Sequence, residues 1–104
     1  MNLEEVARFI NSQPEDSKVY IGCDSERVIK NDLWYADYTT VVVIHHAGHK
    51  GCKIFGETTR ERDFDAKISR PSLRLMNEVY KVSELYLKLN NLVYTEIEIH
   101  LDIN

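Results

Sequence analysis

One long helix, starting at a cap at Ser69 or Ser72 and running to about Asn90 or Asn91, constrains this chain most, because a strand-forming run at residues 95–101 follows it directly. At about 100° per residue, Leu75, Val79, Val82, Tyr86 and Leu89 share one face. A helix with such a stripe must lie on a sheet. The strand that follows it then returns parallel to an earlier strand through a right-handed crossover.

The earlier strands are legible upstream. Residues 18–24 alternate apolar and polar, and are rich in strand formers. Residues 34–46 carry Thr39, Thr40, Val41, Val42, Val43 and Ile44 and form the longest run. The connection at 25–33 contains Lys30-Asn31-Asp32, a polar turn signal. Ala47-Gly48-His49-Lys50-Gly51 supplies a hairpin turn, after which 52–58 returns as a third strand. Residues 59–70 show no period and read as a flexible connection, with Ser69 or Ser72 capping the long helix and Pro71 in its first turn. At the N-terminus, Leu3, Val6, Ala7 and Ile10 predict an amphipathic helix over 2–12 that packs on the sheet. The expectation is an α/β domain: a short helix, three antiparallel strands, a crossover helix and a fourth strand parallel to the first.

A chain of 104 residues holds one such domain, with its core in 18–104. No apolar run approaches the roughly 20 residues that span a bilayer, and Met1-Asn2-Leu3-Glu4-Glu5 does not begin a signal peptide, so a cytoplasmic location is expected. Cys23 and Cys52 fall in strands that are not neighbours and read as reduced core thiols. The net charge of −4 disfavours a generic polyanion binder. Between Lys50 and Arg74, however, seven basic residues face four acidic ones, a local +3 that suits either a solvated connection or phosphate contact.

Three carboxylates stand where charge is least expected. Asp24 closes the apolar strand, Glu78 lies within the greasy arc of the helix, and Asp102 ends Ile97-Glu98-Ile99-His100-Leu101. Each has a plain explanation: a turn residue at Asp24-Ser25-Glu26, a core-edge carboxylate paired with Arg74, and a turn residue after the last strand. Together they suggest more. In this topology strands one and four are adjacent, and their C-terminal ends open toward the start of the crossover helix, where ligands of α/β sheets bind. Like charges gathered in a dry cleft are costly unless protonated or bound to a cation. Hard carboxylate oxygens favour Mg²⁺ or Mn²⁺, and a pair of such ions about 4 Å apart hydrolyses phosphodiesters. His45, His46 and His49 lack carboxylate or cysteine partners and read as solvated or packed. His100 lies on the strand face opposite the isoleucines, as a surface residue or a proton donor beside Asp102.

Tyr20-Ile21-Gly22-Cys23-Asp24-Ser25-Glu26, Lys67-Ile68-Ser69, Asn77-Glu78-Val79 and His100-Leu101-Asp102-Ile103 together resemble the YkuK-type ribonuclease H-like family of bacteria and phages, over about residues 18–104. The resemblance implies a metal-dependent nuclease acting on RNA, DNA or a hybrid, with Asp24, Glu78 and Asp102 as metal ligands. It also implies a fold that continues with further helix, a fifth strand and a final helix bearing a fourth acid, so that a chain ending at Asn104 has a truncated version of it. Three alternatives follow: a fragment of a longer protein, a naturally shortened relative that serves as a binding or interaction module without turnover, or a chain whose fourth strand pairs with another subunit, as in a homodimer through its open edge.

Overall fold

Asn2 opens the first helix. Its side chain accepts a hydrogen bond from the Glu5 backbone N–H at 3.1 Å, and Glu4 and Glu5 in the first turn suit the positive end of the helix dipole. The helix, α1 (Leu3–Asn11), buries Val6, Ala7 and Ile10. The computed structural model describes residues 1–46, 51–64 and 72–101. Within them α1 is followed by β1 (Lys18–Lys30), β2 (Leu33–His45), β3 (Cys52–Arg62), α2 (Ser72–Asn90) and β4 (Ile97–His100).

The sheet order is β3-β2-β1-β4, with β1 antiparallel to β2, β2 antiparallel to β3, and β4 parallel to β1. This is the expected topology. Two strands are longer than their sequence suggests. β1 continues past Asp24 to Lys30, because the reversal needs only Asn31 and Asp32, whose φ angles of 52° and 63° are the left-handed pair of a tight hairpin turn. Asn and Asp tolerate that region better than other side chains. β3 likewise runs through Thr59–Arg62, so the first part of the expected flexible connection is strand. Of the expected turn residues Ala47-Gly48-His49-Lys50-Gly51 only Gly51 is described, and Ser69 and Pro71 also lie outside the described residues.

Alternation assigns the faces. Val19, Ile21 and Cys23 of β1 and Ala36, Tyr38, Thr40, Val42 and Ile44 of β2 point beneath the helices and are buried. From α2 come Glu78, Val82, Leu85 and Leu89, with Leu75 and Tyr86 half-buried. Val79, expected on this face, is 46% exposed, since it sits well to one side of the stripe centred between Glu78 and Leu85. Truncating a fully buried side chain such as Leu89 to alanine would cost about 2–5 kcal/mol. Asn77 Nδ2 donates to the Tyr38 hydroxyl at 3.0 Å, which ties α2 to β2 within this core. Gly22 has a local reason: a Cβ there would sit 3.0 Å from the His100 carbonyl oxygen, so the close β1–β4 approach favours glycine.

The cysteines divide. Both are free, and β1 and β3 are not neighbours, but only Cys23 is in the core; Cys52 is exposed at the start of edge strand β3. Burial pushes the Cys23 thiol up, against the opposing effect of the Thr40 hydroxyl donating to its sulfur at 3.6 Å. A thiolate-selective reagent is therefore expected to modify Cys52 rapidly in the native protein and Cys23 only on unfolding. Two equally fast thiols would contradict this packing of β1.

Candidate functional site

β1 is paired unequally on its two edges. β2 accompanies all thirteen of its residues, whereas β4 stops at the Gly22–His100 pair. Beyond Gly22, no described strand covers that edge of β1. The backbone N–H and C=O of Ser25, groups that a longer β4 would pair, are taken by side chains: Ser25 N–H donates to Asp24 Oδ1 at 2.9 Å, and Arg74 Nη1 donates to Ser25 C=O at 3.1 Å.

The Ser25 side chain continues the arrangement from the helix face. Its hydroxyl donates to Glu78 Oε2 at 2.5 Å and accepts from Arg74 Nη1 at 2.9 Å. Arg74 and Glu78 are four residues apart on α2, so one helix turn delivers a cation and an anion to the same hydroxyl. Glu78 is 5% exposed, and it belongs to the buried stripe by position. A buried carboxylate needs partners of this kind.

Asp24 and Glu78 therefore both contact Ser25, from opposite sides. Glu78 arrives from α2, while Asp24 alternates with Cys23 and Ser25 and leaves β1 on the other sheet face, where it is exposed. There it lines an open groove with Gly22, Glu26, Thr39 and His100. Asp24 is thus not at a strand end, as its sequence position suggests; it is two residues past the end of β4's pairing. Asp102 lies outside the described residues. Among the described residues, no three His, Cys, Asp or Glu side chains are grouped closely enough to hold a metal ion.

The histidines fall out as expected where they are described. His45 packs edge-on against Tyr20 and His46 against Phe9, with ring centroids 6.4 and 6.3 Å apart, while His49 lies outside the described residues. His100 shares the groove face with Asp24, its ring 4.6 Å from that of Tyr20.

Ser25 and Arg27 carry no signal in a strand that ends at Asp24. Extending the alternation to Lys30 places both on the face of Cys23. Arg27 Nε pairs with Asp63 Oδ2 at 2.5 Å, with side-chain exposures of 10% and 2%, and its guanidinium lies 4.4 Å from the Trp34 ring centre. This buried pair anchors the end of β3 to the hairpin next to the Ser25 site. Much of the local positive charge is likewise committed internally. Arg60 grips Asp37 through Nε and Nη2 at 2.6 and 2.9 Å, which holds the Asp37 carboxyl below its usual range, and Lys81 reaches Glu61 at 2.5 Å.

A family model described as Ribonuclease H-like matches residues 2–104. No curated protein and no solved structure gives a match.

Ser25→Ala removes a donor from buried Glu78 and an acceptor from Arg74. The expected loss is about 1–3 kcal/mol, read as a lower urea midpoint at unchanged slope. An unaffected midpoint would mean that Ser25 does not hold the two helix residues.

Proposed function

Since the chain belongs to the ribonuclease H-like family, we propose that this nuclease-like domain hydrolyses nucleic-acid phosphodiester bonds with Mg²⁺ or Mn²⁺. The segments around Asp24, Glu78 and Asp102 favour the YkuK-type branch. The observation that supports the reading best is the meeting of Asp24 and Glu78 at Ser25, on the stretch of β1 that β4 leaves uncovered.

The donor chemistry fits a hard cation, because every candidate ligand is a carboxylate oxygen. Asp24 and Asp102 would hold the first ion, and Glu78 the second or its water. Bound there, the metal supplies an activated water and stabilisation of the leaving oxygen. The protein's own part is to orient and to balance charge. Ser25 fixes Asp24 through its N–H and Glu78 through its hydroxyl, so a shift of β1 moves both acids together. Arg74 offsets the negative charge at Ser25. His100, on Asp24's side of the sheet, serves as a proton donor at the groove.

RNA, DNA or a hybrid is the proposed partner. Arg62 supports this: its guanidinium lies 5.7 Å from the Tyr35 ring centre and 5.2 Å from that of exposed Phe64, a cation and two aromatic faces on one rim. No helix among the described residues is long and apolar enough to cross a membrane, and a cytoplasmic location is proposed with the function.

A second reading has its own observation. Asp24 leaves β1 on the face away from α2, whereas Glu78 reaches Ser25 from α2 and shares that hydroxyl with Arg74, an arrangement that also serves as a purely structural tie. In that reading the domain binds nucleic acid or a protein without turnover.

Incubation with labelled RNA/DNA hybrid, single-stranded DNA and RNA in Mn²⁺ separates the two. The nuclease reading expects cleavage that falls to background in Asp24→Asn, and calorimetric Mn²⁺ binding that weakens in the same variant. Equal cleavage by wild type and Asp24→Asn would remove the assignment, and absence of both cleavage and Mn²⁺ heat would favour the binding module.

A further inference from the structure

Two arginines of β3 that share a sheet face have opposite surroundings. The register sets Asp24 opposite Thr39 and Thr58, then Glu26 opposite Asp37 and Arg60, then Val28 opposite Tyr35 and Arg62. Directly opposed residues share a face, so these three rows all lie on the side of the sheet that carries Asp24. Arg60 is neutralised by the two-pronged bond to Asp37. Arg62, two residues on, pairs with no carboxylate among the described residues, and its guanidinium lies near the rings of Tyr35 and Phe64 instead.

The contrast singles out this corner of the sheet. Arg27 is tied to Asp63 and Lys81 to Glu61, both on the helix side. Phe64, whose ring the Arg62 guanidinium approaches, is 71% exposed, and Tyr35 is half-buried. A single exposed phenylalanine is ordinary. Two rings grouped around an arginine that has no acid to balance it offer both an aromatic face and a positive charge to one ligand.

We propose that Tyr35, Arg62 and Phe64 form a stacking subsite for an unpaired nucleotide, and that the strand this domain takes is single where it crosses the sheet toward Asp24. The inference rests on the nucleic-acid reading given above and narrows it to one substrate class. An unpaired nucleotide supplies what the corner lacks: a base to stack on Phe64 and a phosphate to balance Arg62. In a duplex both faces of each base are covered by its neighbours, so the ring of Phe64 would find nothing to stack on.

Position and charge agree with this. The groove that holds Asp24 continues along Glu26, Asp37 and Thr58, toward the subsite. Val28, in the row of Tyr35 and Arg62, is four residues beyond Asp24, about 13 Å along the strand, a span of a few nucleotides. Glu26 and Asp37 between them oppose a close track of phosphates, which a duplex held by its backbone requires. A strand anchored by stacking and one arginine tolerates that gap. Its affinity then depends only weakly on salt.

Fluorescence anisotropy in EDTA, with a short labelled RNA, the matching DNA and a blunt duplex of the same sequence, measures binding without turnover. One or both single strands should bind about 10-fold more tightly than the duplex. Phe64→Ala should weaken strand binding about 10-fold, and Phe64→Trp, which keeps a stacking face, should preserve it. Arg62→Gln should flatten the slope of log affinity against log salt by about 0.7, the share of one phosphate. Circular dichroism should show every variant folded. A duplex bound as tightly as the strands, no binding of either strand, indifference to Phe64→Ala, or an unchanged slope in Arg62→Gln would each overturn the proposal. Strand binding with this pattern but no cleavage in Mn²⁺ would remove the nuclease reading and leave the subsite standing. Cleavage of strand and duplex alike, with Phe64→Ala as active as wild type, would do the reverse.

Discussion

The mismatch in length between β1 and β4 governs the rest of this structure. β1 is held along its whole length by β2, which keeps it regular past Asp24, while β4 covers only its first part. A strand edge exposed next to a helix start must satisfy its backbone by other means. Here Asp24 and Arg74 do so at Ser25. The candidate site is the direct consequence: polar side chains gather at the point where sheet pairing stops.

Glu78 shows how the packing of α2 makes that gathering specific. The helix buries Val82, Leu85 and Leu89 against the sheet, and the same stripe carries Glu78 inward one turn earlier. Hydrophobic burial thus drives a carboxylate to the core margin, where Ser25 and Arg74 meet it. Removing one member leaves the others short of partners, a greater loss than any single hydrogen bond contributes when intact. The Arg27–Asp63 pair plays a similar part at the end of β3, specifying where the hairpin lies at the expense of desolvating two charges.

The two edge strands of the described sheet differ in charge. β3 is laden with lysine, arginine and glutamate and resists a neighbour. β4 alternates Glu98 and His100 with Ile97 and Ile99, and pairs with β1 along Val19 to Gly22. The same four residues therefore connect the inner core, the uncovered part of β1 and the outer surface.

Much of the fold was written in the sequence because periodicity is a local property. The helices over Leu3–Asn11 and Ser72–Asn90, the strand order and the parallel return of β4 follow from apolar spacing and crossover handedness, as did the inward position of Glu78. Asp24 was identifiable as an anomalous acid, but not its setting. Strand length is decided by a partner: β1 runs to Lys30 because β2 pairs with it there, and no signal within residues 25–30 outweighs the polar turn signal that follows. Whether Asp24 ends a strand or extends from one, which sheet face it takes, and that Ser25 links it to Glu78 depend on residues more than fifty positions apart in the chain coming into contact. Local spacing specifies which face of an element is apolar; only tertiary packing decides which polar groups meet once those faces are buried.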